Sequence, residues 1–189
     1  MDKDEEVLIR KAQRGNLQAF ESLVYRYDAQ ITRLIFNMVN NIEDTHDLYQ
    51  EVFVKVFKSI KSFRFQSEFY TWLFRIAINA CINFRKHKKS RHDDSLEEYI
   101  DSKPDNWKIF KNDWNPEQQL LNTELGSKIQ QSIDLLSSKQ KAVFTLRHYH
   151  GYKLNEIANM MNCSEGTIKN YMFRAVQKLK NSLKEYYQT

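Results

Sequence analysis

The sequence is short of helix breakers. Of its 189 residues only 4 are glycine and 2 are proline, Pro104 and Pro116. That scarcity argues against the turn-rich chains of β-sandwiches and barrels and favours a mainly helical fold. Cysteine is equally scarce. Cys81 and Cys163 are the 2 cysteines, and neither has a CxxC partner. A disulfide framework and a cysteine-rich zinc site are excluded, and buried free thiols in a reducing cytosol are expected. No apolar run approaches the ~20 residues that span a bilayer. The opening MDKDEEVLIRKAQRG is acidic and then amphipathic, without the apolar stretch of a signal peptide. No insertion into a membrane is expected, and the expected compartment is cytoplasmic. Catalytic patterns are missing as well. The sequence has no glycine-rich phosphate loop, no HExxH and no nucleophile motif. His148 and His150 lie close together, but side chains at i and i+2 on a helix point apart, so they make a poor metal pair. No metal, no cofactor and no enzymatic activity are expected.

One absence is local. Residues 61–92 hold 8 Lys or Arg against a single acid, Glu68, and residues 120–189 hold 10 basic against 5 acidic residues. Between these clusters, residues 86–119 are almost balanced, with 7 basic and 8 acidic residues. Two basic regions across a near-neutral stretch suit a long polyanion touched at two places. The alternative is that basic faces serve solubility alone. The converse holds at 43–51, EDTHDLYQE, with four acids and no Lys or Arg. Helix-dipole complementarity accounts for Glu43 and Asp44. It accounts less well for Asp47 and Glu51, which with Gln50 and Val54 form the predicted solvent side of a helix. Such a face repels nucleic acid and suits a basic protein partner.

Apolar spacing predicts helices over 4–40, broken by a turn at Gly15-Asn16, then over 43–60 and 68–87. Leu48, Val52, Phe53 and Val56 form the buried side of the second. Helical patterning fades from about Lys88 to Asn115 and resumes over 117–136, 138–149, 153–161 and 165–185. No strand alternation persists. The expected fold is all-α, with two small helical domains, 1–90 and 116–189, joined by a flexible linker over 91–115.

Two stretches carry recognition chemistry. In 154–175, LNEIANMMNCSEGTIKNYMFRA, two helical patterns meet at Asn162-Cys163-Ser164, with Ser164 placed as an N-cap. The second helix is predicted to bury Ile168, Met172, Ala175, Val176 and Leu179. That turns Lys169, Asn170, Phe173, Arg174 and Gln177 outward, as in a helix-turn-helix that reaches phosphates and base edges. The bland reading is a helical hairpin with a solvated face. In 68–87, EFYTWLFRIAINACINFRKH, one polar stripe crosses an apolar helix: Trp72, Arg75, Asn79, Asn83 and Lys86. The amides can pair with exposed base edges and the indole can stack on an unpaired base. Just upstream, Phe63 and Arg64 sit in a short connector, an aromatic beside a cation. Trp72 could equally belong to the core.

Four blocks, DLYQEVFVKVFKSIKSF, FYTWLFRIAINACINFRK, LSSKQKAVFTLRHYHGYKLNEIA and GTIKNYMFRA, together resemble an extracytoplasmic-function sigma factor of bacterial RNA polymerase. They occur in order over most of the chain except 91–115. The resemblance implies an amino-terminal region 2 and a carboxyl-terminal region 4, and a function in promoter selection and melting with no chemistry of its own. It implies core RNA polymerase, promoter DNA (duplex at −35, single-stranded at −10) and an anti-sigma factor as partners. It places Asp47, Gln50, Glu51 and Phe53 in the polymerase-docking segment. Phe63 and Arg64 fall near the melted −10 element, Asn79 at a flipped base, and Lys169, Asn170, Phe173 and Arg174 on the −35-reading helix. Departures are local. Asn170 and Tyr171 stand where Ser or Thr and then Arg are common, and Lys153 replaces a common capping Ser. A free-standing duplex-binding regulator is the competing reading. It gives no role to the Trp72–Asn83 stripe or to the acidic helix.

Overall fold

The computed structural model describes residues 2–93 and 124–184. Among these residues every regular element is helical. Helix α1 spans Lys3–Gln13. Asp2 caps its start, and acids in the first turn and bases in the last match the helix dipole. Gly15, at φ +90°, makes the reversal a β-carbon would strain. Helix α2, Leu17–Val39, begins at Asn16, whose side chain accepts from the amide of Ala19 at 2.9 Å. Asn40 ends α2 in the left-handed conformation and Asn41 caps α3, Ile42–Ser59. Two asparagines thus make a joint with almost no loop. A 3₁₀ turn at Ile60–Ser62 leads through a connector to α4, Phe69–Asp93.

The remaining helices are α5, Glu124–Asp134; α6, Ser138–His148; α7, Leu154–Met161; and α8, Glu165–Ser182. A reciprocal box of Ser137 and Gln140 starts α6. At α7 the lysine cap is weak as expected. Lys153 offers no side-chain acceptor, and Glu156 supplies the half-box by accepting from the Lys153 amide at 2.7 Å. Ser164 caps α8 through the amide of Thr167.

The boundary between α4 and the linker differs from the sequence reading. Helix α4 runs past residue 87 to Asp93, held there partly by Lys88, which pairs with Asp44 on α3 at 2.7 Å. The described part of the helix expected over 117–136 starts at Glu124. The linker expected over 91–115 therefore begins inside α4, and the rest of it lies outside the described residues.

Helices α1 to α4 pack around Leu34, Ile35 and Met38 of α2, Leu48, Val52 and Val56 of α3, and Leu73, Phe74, Ala77, Ile78 and Cys81 of α4, all nearly inaccessible to solvent. Burial pushes the Cys81 thiol up to about 12, so it stays a protonated, unreactive core group. The same buried cluster continues into Ala142, Val143 and Leu146 of α6, Ile157 and Met160 of α7, and Ile168 of α8. Helix α4 lies against both α6 and α7.

This seam is polar at one end and aromatic at the other. The Arg85 guanidinium donates to the carbonyls of Met38, Asp134 and Leu136 at 3.0–3.1 Å. Lys141 is completely buried, and its ammonium donates to the Asp134 carboxylate, which also accepts from Asn40 at 3.0 Å. Burial pulls the Lys141 pKa down to about 8 against the opposing pull of Asp134. At the other end Tyr70 stacks on Tyr152 with centroids 5.8 Å apart, and Phe74 meets His150 and Tyr152 edge-on.

Candidate nucleic-acid interface

On α8 the outward face has the expected membership. Ile168 and Ala175 are buried, while Lys169, Asn170, Phe173, Arg174 and Gln177 are exposed. Phe173 is 63 % exposed, a large apolar side chain left uncovered between amide and guanidinium neighbours. Val176, expected in the buried stripe, is 45 % exposed. It follows Ala175 by about 100°, and among the described residues nothing reaches round α8 to cover it. Lys169 pairs with Glu165 one turn earlier at 2.8 Å, so part of its charge is neutralised locally. Tyr171 turns away from the outward face and is half-buried, with the Lys139 ammonium 5.7 Å from its ring centre. The cation beside that flank of α8 therefore comes from α6.

Helices α3 and α4 form an open groove of about 380 Å³. Ile76 and Ala80 make its apolar floor, Asn79 and Asn83 rise from α4, and Lys55, Lys58 and Ser59 come from α3. Asn79 and Asn83 are both exposed, as their place on a polar stripe predicts. The two lysines and the serine were not legible as part of the same site. They lie some twenty residues upstream, and only the packing of α3 on α4 brings them alongside.

A second groove, of about 270 Å³, adjoins the start of α4 and is lined by Ser62, Phe63, Arg64, Gln66, Ser67, Trp72 and Arg75. Arg64 is exposed. Phe63 differs from the sequence reading. It is 5 % exposed, and its ring packs among Phe65, Phe69 and Trp72 at 5.0–5.5 Å. An aromatic this well surrounded supports the groove wall more than it offers a free stacking face. Trp72 is half-buried and serves as both core and groove residue. Arg75 also departs from the simple stripe. Its Nη2 donates to the carbonyl of Asn159 in α7 at 3.0 Å, and its Nε is buried without a hydrogen-bond partner among the described residues.

On α3, Asp47, Gln50, Glu51 and Val54 are exposed in one row, and Phe57, 46 % exposed, extends it. Phe53 does not belong to that surface. It is 9 % exposed, with its ring 4.7 Å from Tyr49, because its register is that of the core stripe Val52–Val56. Glu51 pairs with Lys55 one turn later, so the acidic face ends where the basic groove begins.

An exposed acidic row on α3, a groove of asparagines and lysines along α4 and a helix-turn-helix with an exposed polar face thus occur on one chain. Residues 23–91 match the family of sigma-70 region 2, and residues 127–179 match that of sigma-70 region 4. The chain is 32% identical over 187 residues to the RNA polymerase sigma-H factor of Pseudomonas aeruginosa, covering 96% of this chain and 94% of that one. It is 33% identical over 181 residues to the ECF RNA polymerase sigma-E factor of Haemophilus influenzae, covering 95% of each. The chain belongs to the extracytoplasmic-function sigma-factor family. As a sigma factor it binds core RNA polymerase and directs it to specific promoters for the start of transcription. Its fold is also that of CnrH, solved with the cytosolic domain of CnrY. The TM-score is 0.65 at 20% identity, over 97% of this chain and 99% of that one. The sigma factor RpoE of Bartonella quintana, solved with the anti-sigma factor NepR, gives a TM-score of 0.61 at 20% identity over 87% and 96%. Among the described residues no helix is long and apolar enough to cross a membrane.

Proposed function

We propose that this sigma factor divides promoter recognition among three surfaces and carries no catalytic step itself. The α3 row of Asp47, Gln50 and Glu51 docks core polymerase, with Phe53 holding the helix from beneath. The α4 grooves receive the melted −10 strand, with Asn79 and Asn83 pairing to exposed base edges, Arg64 and Arg75 meeting phosphate, and Trp72 and Phe63 forming an aromatic wall. The α8 face of Lys169, Asn170, Phe173 and Arg174 reads the duplex −35 element. The sigma factor works in the cytoplasm and is restrained by an anti-sigma protein, in the way that RpoE of Bartonella quintana is held with NepR.

The observation that carries the reading is Asn79. It stands exposed in a groove with an apolar floor and two lysines, on a helix whose other sides are core. An amide in that setting can hold the edge of an extruded base while cations hold its phosphates. A structural asparagine would instead be bonded to the fold. Permanganate footprinting with core polymerase tests it. Asn79→Ala leaves upstream duplex binding intact and depresses opening of duplex templates. A premelted bubble restores activity, with relaxed base preference at one downstream position. Normal opening with unchanged preference would remove Asn79 from the site.

A further inference from the structure

Helix α1 lies outside the region 2 match, which begins at residue 23, yet it touches the connector that shapes the second groove. Gln13, in its last turn, uses both amide hydrogens. Nε2 donates to the carbonyl of Ile60 at 3.0 Å and to that of Phe63 at 2.8 Å. These carbonyls bracket the 3₁₀ turn from which the connector leaves α3. One turn back, the Arg10 guanidinium lies 4.6 Å from the centre of the Phe65 ring, and it is itself oriented by Glu6 at 2.6–2.9 Å.

Phe65 is the unusual residue. Its φ is +57°, the left-handed region that a bulky aromatic rarely adopts. That turn has a geometric effect. Arg64, Gln66 and Ser67 line the groove while Phe65 does not. Its ring instead lies against Phe63 at 5.0 Å and under Arg10. A strained backbone persists only where its surroundings over-determine it. Here α1 supplies them: two hydrogen bonds to the start of the connector and a cation on the strained ring.

We propose that α1 is a brace for single-strand recognition, with Gln13 and Arg10 as positioning residues that hold the connector in its base-receiving shape. This deepens the groove reading above and rests on it. Neither residue is among those lining the groove. Both act through Phe63 and Phe65 to aim Arg64, Gln66 and Ser67. Arg10 is exposed, Gln13 is half-buried at a helix end, and neither belongs to the apolar core cluster.

The test uses the full chain assembled with core polymerase on forked templates. These carry the upstream duplex element and a single-stranded downstream element in which one base is varied. Gln13→Glu removes the amide donor at constant size. Arg10→Gln removes the cation, and Arg10→Lys keeps it. For Gln13→Glu the expected result is an affinity loss of at least about fivefold, since two hydrogen bonds are lost. For Arg10→Gln it is a loss of about threefold, the scale of one exposed cation–π contact. Both flatten the preference at the varied base. Arg10→Lys retains the preference, since an ammonium also binds an aromatic face. A residue that merely stabilised the fold would change the thermal midpoint and leave the ratio between bases untouched. Arg64→Ala is the control. If it loses affinity or preference while Gln13→Glu and Arg10→Gln keep both, the groove stands and the brace is refuted. If Arg64→Ala also keeps both, the connector does not receive the strand and the brace falls with that reading.

Discussion

At the scale of single residues, the exposed chemistry of α8 is the most directly testable. Arg174 stands outward beside Asn170 and Phe173, where a guanidinium can bond a guanine edge in two places or meet a phosphate once. Arg174→Ala is expected to cost about 1–3 kcal/mol at one base position if it reads an edge. A uniform loss across sequences, with a shallower salt dependence, would assign it to phosphate. Binding to a set of upstream duplexes that differ at single positions distinguishes the two, and an unchanged affinity would take Arg174 off the DNA face. Tyr171 shows why neighbours cannot be assigned by rank in sequence alone. One position after Asn170, it has rotated to the flank and sits under Lys139, so no base contact is assigned to it.

At the scale of elements, α3 works as two half-helices with opposite charge. Its first turns expose Asp47, Gln50 and Glu51, while its last turns send Lys55, Lys58 and Ser59 into the groove. The buried stripe of Leu48, Val52, Phe53 and Val56 holds both in register. Reversing Asp47 and Glu51 together to Arg is expected to abolish co-purification with core polymerase and keep the helical circular dichroism. Charge reversal against a basic partner costs affinity without unfolding. Glu51→Arg also places a cation one turn from Lys55, a penalty of only about 0.2–0.5 kcal/mol to the helix. Normal retention of the polymerase by the double variant would place the docking surface elsewhere.

At the scale of the whole molecule, the seam between α4 and helices α6 and α7 carries an unusual polar load. Half-buried Arg85 and Asp134 surround the fully buried Lys141, and losing Asp134 would strand the Lys141 ammonium away from water. At the aromatic end His150 stacks on Tyr152 and meets Phe74 edge-on, with its Nε2 buried and without a hydrogen-bond partner among the described residues. Burial first, and then the charge of Arg33, lower its pKa from 6.5 to about 4. The neutral form is thus favoured in the folded chain, and the unfolded chain binds the proton first. The stabilisation is complete above pH 6.5 and is lost as pH falls from there to about 4, by up to about 3 kcal/mol. His150→Phe should flatten urea-measured stability across that window while keeping the ring contacts. His148, also lowered by burial but exposed, retains a smaller slope. A wild-type slope in His150→Phe would show that the acid sensitivity lies elsewhere.

Much of this was legible in one dimension because it is governed by local periodicity. An i, i+4, i+7 apolar pattern selects a helix and its buried side, so the outward faces of α3, Asn79 and Asn83 on α4, and Lys169, Asn170, Phe173 and Arg174 on α8 could be named from spacing. Caps are local too, and Asn16, Asn41 and Ser164 all start helices as their side chains allow. The tertiary structure decided whatever depends on which helix lies against which. It buried Phe63, uncovered Val176, and turned Arg75 toward Asn159. It placed Lys55 and Lys58 beside Asn79 and set Gln13 against Ile60 and Phe63. It also gave the guanidinium of Arg85 its backbone carbonyls and the buried ammonium of Lys141 its carboxylate. The physical reason is range. Helical periodicity is set within a few residues along the chain, while burial and electrostatic pairing are set by groups within a few ångströms in space, as far apart in sequence as the 84 residues between Arg75 and Asn159.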